Sequence, residues 1–419
     1  MAGSSSQSTN AFNFKKLTLV NCMDTNEIKK LVEKYYPEMV ETRRHLHRHP
    51  ELSYKEYKTT EYIAERLEKL GFDVKRPLET GCVAILDGDI DSNRVIALRA
   101  DIDALPITEI GEHKKEFMSQ NPGVAHCCGH DVHTSNLLGT ARILADFKSQ
   151  IKGRVVLIFQ AAEEKLPGGG RLLCENGILQ DLGVTEIYGL HTDPRFNPGQ
   201  IGIRPGPFMA RPDEFEITVK GLGGHAAYPH KAVDPIVTAA QLVTTIQSIV
   251  SRNIDPNEPA VVTIGRIEGG TAHNIIPEEV KIWGTVRTFS DTTAHFIRDR
   301  IKEIVDGVTS AVGGSYEYDF NEGYPAVINT PWAVDNIRLR ALQVFGNEAI
   351  IDLEKPIMAG EDFAFYLEYF PGAFLFLGSG SESSGSVYNW HHPMYNADEE
   401  CMKTGSALMA SLVLNTDNE

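Results

Sequence analysis

Val155-Val156-Leu157-Ile158-Phe159, continued by Gln160-Ala161-Ala162-Glu163-Glu164 and then by Pro167-Gly168-Gly169-Gly170, decides the fold. A short unbroken apolar run rich in β-branched residues predicts a strand buried on both faces, as in a sheet covered by helices. Two adjacent carboxylates at its end, with glycines behind them, suit a site at the carboxyl edge of such a sheet. The alternative for Glu163-Glu164 alone is a solvated helix start, where acidic residues favour the positive end of the helix.

Outward from this run the same pattern repeats. Val83–Leu86 and Val95–Leu98 are further buried strands, and a helical period from about Thr134 to Phe147 separates the last of these from Val155. Upstream, Ile28, Leu31, Val32, Tyr35 and Tyr36, then Tyr62, Ile63, Leu67 and Leu70, recur at helical spacing, with Gly71 ending the second helix. Strands alternating with helices predict an α/β fold, a helix-flanked mixed sheet. Near Met209 the character changes. Phe215–Val219 alternates like a half-exposed strand, followed by a helix from about Pro235 to Val250, strands at Val261–Ile267 and Val280–Thr288, a helix from about Ala294 to Val312 and a strand at Tyr316–Phe320. That order predicts an inserted α+β unit of the ferredoxin type. The expected domains are a catalytic part over 26–208 and 324–419, a lid over 209–323, and a disordered leader over 1–25.

The chain has 419 residues and a net charge of −17. The acidic balance argues against a nucleic-acid partner, which needs a clustered basic face, but leaves room for an anionic substrate in a locally cationic pocket. Six cysteines, Cys22, Cys82, Cys127, Cys128, Cys174 and Cys401, are too scattered for a disulfide framework. With no secretory pattern at the start and no apolar run near the ~20 residues that span a bilayer, the expected location is the cytoplasm, with no membrane partner.

The densest chemical signal is His126-Cys127-Cys128-Gly129-His130-Asp131-Val132-His133. Thiolate and imidazole are zinc-type donors, Gly129 permits a tight turn between Cys128 and His130, and Asp131 is placed to hold a ligand's ring N–H. His191 follows the apolar run Ile187–Leu190, and His391-His392-Pro393 lies far downstream; each alone is as well read as a structural histidine. Gly223-Gly224-His225 and Ala272-His273-Asn274 place polar groups beside glycine or a turn, which also suits a simple hairpin. Arg287 alternates on a strand and has a fork matched to a carboxylate, though a surface arginine is the commoner case.

Taken together these stretches resemble the metal-dependent aminoacylase and carboxypeptidase family, in its branch of hippurate and indole-acetyl-amino-acid hydrolases. The likeness rests on Arg99–Pro106, Cys128-Gly129-His130-Asp131, Phe159–Glu164, Gly223–His230, Asn274–Pro277, Gly360–Ala364 and Trp390–Pro393, in family order from about Lys29 to Leu414. The resemblance implies two divalent ions, zinc or manganese, on Cys128, His130, Glu164, His191 and His391, with Cys128 bridging. It implies Glu163 as general base toward a metal-activated water, Asp101 as a further catalytic residue, and His225, Asn274 and Arg287 on the substrate. It further implies a homodimer in which the lid histidine serves the partner's site. The activity implied is hydrolysis of N-acyl or N-aroyl amino acids; a carboxypeptidase or dipeptidase, or a non-catalytic ligand-binding relative, are the alternatives. Cys127 and Val132 depart from the family pattern, and Cys127 is a rival donor to Cys128.

Overall fold

The computed structural model describes residues 25–414. The expected leader, apart from Thr25, and Cys22 lie outside the described residues. Helices α1 (Thr25–Arg48) and α2 (Tyr57–Lys69) precede strands β1 (Asp73–Lys75), β2 (Cys82–Asp87) and β3 (Ile90–Asp101). Then come α3 (His130–Asp146), β4 (Lys152–Gln160), α4 (Gly169–Asn176), α5 (Ile178–Asp181), β5 (Glu186–Asp193), β6 (Ile201–Ile203) and β7 (Gly206–Met209). The inserted unit holds β8 (Arg211–Lys220), β9 (Gly224–His225), α6 (Pro235–Ile246), β10 (Val261–Gly269), β11 (Ile275–Ile276), β12 (Glu279–Thr288), α7 (Asp291–Ala311) and β13 (Ser315–Asn321). The chain closes with β14 (Val327–Asn329), α8 (Pro331–Phe345), β15 (Ile350–Asp352), α9 (Ala364–Tyr369), β16 (Gly372–Gly378) and α10 (Cys401–Leu414).

The main sheet has eight strands in the order β1-β2-β4-β3-β5-β16-β6-β15. Its middle, β4-β3-β5-β16, is parallel, with antiparallel pairing at β1-β2-β4 and at β16-β6. This is the mixed, helix-flanked α/β architecture that the buried runs predict. One face packs Leu98, Val155 and Leu157 against apolar residues of α1, α3, α8 and α10; the other packs Val156, Ile158 and Ile187 against α4, α5 and α9. Burial on both faces explains why β4 and β16 lack polar alternation.

The second sheet, order β10-β12-β8-β13, is antiparallel throughout and formed wholly within 211–321. With α6 and α7 on one face it has the strand order of a ferredoxin-type sandwich. Asp234 caps α6 by accepting from the Ile236 and Val237 amides ahead of Pro235, and Ser290 caps α7 through Thr293 N. Phe215, Ile217, Val280 and Ile282 pack on Leu242, Ile246, Ile297 and Ile301 to form a core of their own.

One boundary differs from expectation in a way that matters. Helix α3 begins at His130, not near Thr134, because Gly129 takes a left-handed conformation (φ 102°) as its N-cap. His130 is therefore held in the first helical turn.

Candidate metal centre and active site

The site grows from the carboxyl ends of parallel strands β3, β4 and β5, where the crevice of an open α/β sheet lies. Strand β3 ends at Asp101, β4 runs out into Glu163 and Glu164, and β5 carries His191 near its end. Cys128 and His130 come from the turn into α3. A Cβ on Gly129 would come within 2.3 Å of Thr192 Oγ1 and 2.7 Å of the Tyr395 hydroxyl, so only glycine fits between the two donors. Ala162 (φ 54°) and His391 (φ 64°) hold positive φ without being glycine. Such backbone costs about 1–3 kcal/mol and persists where the surroundings impose it. Glu56 Oε1 accepts from Ala162 N at 2.8 Å, and the Tyr324 hydroxyl donates to Glu163 O at 2.6 Å.

Two donor groups share Cys128: one with His130 and His191, the other with Glu164 and His391. Cys128 Sγ is 3.3 Å from His191 Nε2, and His391 Nε2 is 3.2 Å from Glu164 Oε1. His130 Nε2 lies 3.9 Å from Glu164 Oε1 and 4.0 Å from Glu163 Oε2. The two candidate rings are oriented by their other nitrogens, His130 Nδ1 on Asp103 Oδ1 at 3.1 Å and His191 Nδ1 on Thr192 O at 2.8 Å. His392, by contrast, stacks on Tyr388.

These residues fit a cation. His130 Nε2 is buried without a hydrogen-bond partner among the described residues, in a protein interior where orphaned polar atoms are costly. Asp101, Glu361 and Asp362 meet the guanidinium of Arg99, and Asp103, Glu163 and Glu164 lie around the His130 ring. Burial, then the carboxylates of Glu361 and Glu164, push Glu163 well above the usual carboxylate range, and burial raises Glu361 to about 8. Burial and Glu164 likewise raise the Cys128 thiol. Burial alone would lower His130, but Asp101 and Asp103 raise it to about 10. A thiol, an imidazole and a carboxyl, those of Cys128, His130 and Glu163, that hold their protons for want of positive charge are the chemistry that divalent ions complete.

Not every residue falls where the sequence suggests. Asp131 does not hold a ligand ring; its carboxylate turns to Arg43 Nε and His47 Nδ1, each at 2.8 Å. Neighbours on a helix point about 100° apart, so Asp131 faces α1 while His130 faces the site. The ring-holding carboxylates are Asp103 and Asp101. Asp101 is fully buried, with Oδ2 on Arg99 at 2.7 Å and Oδ1 on His133 Nδ1 at 2.7 Å. Cys127 belongs to neither donor group; its side chain is buried in the apolar core. His133, Asp103, Glu361 and Asp362 carry no role in the sequence reading. His133 had a signal, three residues beyond His130 on the same helical face.

His225 and Asn274 are brought near each other through their neighbours instead. His225 pairs with Ile275 across the β9–β11 ribbon, and Ala226 N donates to Asn274 O at 3.1 Å. Both side chains are exposed. Arg287 is half-buried on β12 opposite Pro212 and Val261. Among the described residues, no hydrogen bond or ion pair joins His225, Asn274 or Arg287 to the Cys128 cluster.

The model of Peptidase family M20/M25/M40 matches residues 97–415. An N-acyl-L-amino acid amidohydrolase of Geobacillus stearothermophilus is 46% identical over 73% of this chain and 82% of its own length. An IAA-amino acid hydrolase ILR1-like protein of Arabidopsis thaliana is 36% identical over 91% of this chain and 87% of its own. The crystal structure of the Bacillus subtilis YXEP protein, a dinuclear metal binding peptidase from the M20 family, superposes with a TM-score of 0.79 at 34% identity, covering 91% of this chain and 98% of that one. The chain belongs to the M20/M25/M40 family of peptidases and their amidohydrolase relatives.

Proposed function

We propose that the protein hydrolyses the amide bond of N-acyl or N-aroyl amino acids, releasing a carboxylic acid and a free amino acid. The observation that carries this reading is the two donor groups sharing Cys128 at the sheet's carboxyl edge, with the Glu163 carboxyl beside them and the buried His130 Nε2 left open. Cys128, His130, Glu164, His191 and His391 would hold two divalent ions, zinc or manganese. When bound, such ions polarise a carbonyl and acidify water.

Glu163 takes a proton from the attacking water and delivers it to the leaving amine, a role that calls for a carboxyl within reach of both. The Ala162 turn, tied to Glu56 and Tyr324, fixes that carboxyl. Asp101 keeps the His133 ring in place and lies 3.7 Å from His130 Nε2, so its part is to steady the ligand rings. His225 donates to the oxyanion, and Asn274 and Arg287 hold the substrate carboxylate. The exposure of His225 and Asn274, away from the cluster of their own chain, supports service to a partner's site in a homodimer. The five described cysteines are free and buried, which suits a reducing cytoplasm; no described helix is long and apolar enough to cross a membrane.

Free amine release from N-acyl amino acids, assayed beside dipeptides, tests the proposal. Turnover of the acyl substrates that chelation abolishes and metal restores is expected. Turnover of dipeptides alone would give the carboxypeptidase or dipeptidase reading, and no turnover with either metal would leave a ligand-binding relative.

A further inference from the structure

Beside the ligand cluster lies a second set of buried charges that the reaction does not use. Lys114 and His47 are 0% exposed, Arg43 and Asp131 1%. Burying ions is unfavourable unless each is paired and hydrogen-bonded, and here each is. Lys114 Nζ donates to Pro393 O at 3.1 Å, to Tyr395 O at 2.8 Å and to Glu109 Oε2 at 2.8 Å, which uses all three of its protons. Glu109 continues to His47 Nε2 at 3.0 Å, whose Nδ1 meets Asp131 at 2.8 Å; Asp131 then meets Arg43, which reaches Asn396 Oδ1 at 2.7 Å. Burial alone would raise Glu109, but His47 and Lys114 hold it at about 2.

This series of bonds starts and ends on the loop that carries His391, at Pro393 and Tyr395 and at Asn396, and passes through Asp131 in the helix turn beside His130. The loop needs such support, because His391 has an exposed side chain (53%) and a positive φ. Further ties lie along the loop: His391 N donates to Cys127 O at 2.7 Å and Ile110 N to Pro393 O at 3.0 Å. In each case the loop is held by backbone atoms, leaving the His391 ring free to face Glu164.

We propose that Lys114 is a positioning residue for one ion of the pair: its ammonium, anchored by Glu109, fixes the 391–396 loop so that His391 meets Glu164 and Cys128. The inference rests on the metal reading above and adds to it a residue that touches neither ion nor substrate. The Cys128–His130–His191 group takes no donor from this loop, although Trp390 and Tyr395 reach Thr192 beside it, so the larger effect falls on the other group.

The test is equilibrium dialysis of metal-free protein against zinc, for the wild type and Lys114→Met. Wild type should bind two equivalents. Lys114→Met should keep one near its wild-type affinity and bind the other about tenfold or more weakly than that, the usual scale for losing a residue that orients a ligand. Two equivalents at wild-type affinity would overturn the proposal, and so would equal weakening of both, which is the mark of general destabilisation. Should Lys114→Met not fold, Lys114→Met/Glu109→Gln, which removes the buried pair together, takes its place, and the same outcomes support or overturn the proposal. A wild-type chain that binds no divalent ion would instead overturn the metal reading itself, and this inference with it.

Discussion

The carboxyl edge of the main sheet and the β9–β11 ribbon of the inserted unit carry the two halves of the proposed site, and they are built in opposite ways. At the sheet edge His130, His191, Glu163 and Asp101 are buried, and the ligand rings are pinned by Asp103 and Thr192. In the ribbon His225 and Asn274 are exposed and positioned by backbone pairing, with the His225 ring accepting from Ala227 N and packed edge-on to Tyr228. A cation site gains from rigidity, because its ligands must not collapse onto one another. A group that meets substrate from a separate unit gains from being open until the parts come together.

The sharpest way to break this comparison is to disarm each half and ask what is lost. Glu163→Gln should retain both metal equivalents and lower kcat by about 10²–10⁴-fold, the range of a lost general base; turnover near wild type would remove Glu163 from that role. His225→Ala should lower kcat by about 10²–10³-fold with metal content unchanged. Mixing it with Glu163→Gln should restore activity if the ribbon serves a partner, and failure to restore would confine the ribbon to its own subunit or to no catalytic part.

A smaller effect concerns how the rigid half is held. Buried Glu56 accepts from Thr80 and from Ala162 N, and burial raises it from 4.5 to about 7. The folded protein therefore binds a proton there that the unfolded chain releases. Stability from this group is complete below about pH 4.5 and is lost as pH rises through 7. Glu56→Gln should lack that component, so the gap in urea midpoint between variant and wild type should move in the variant's favour from pH 5 to pH 8. A constant gap would contradict it.

Much of the fold is legible in the residues alone. The buried runs predict β4 and its neighbours, and the strand–helix order predicts the second sheet, because hydrophobic period is a local property. Cys128 and His130 stand out as a dense local run of thiol and imidazole, whereas Glu163, Glu164 and His191, at the ends of apolar runs, read alone as structural groups and gain their roles from the resemblance. The residues that hold them do not stand out. Lys114 is 281 positions from the Tyr395 carbonyl it binds, and Arg99 is 263 from Asp362. Nothing near Lys114 distinguishes it from a solvated lysine. Asp131 misleads because proximity in sequence to a ligand is not proximity of side chains on a helix.

Cations between the shared donors are what every proposed role depends on. Crystals soaked in zinc or manganese and measured at the metal absorption edge should show two anomalous peaks, one against Cys128, His130 and His191 and one against Cys128, Glu164 and His391. Peaks elsewhere, or none, with those five side chains apart, would contradict it.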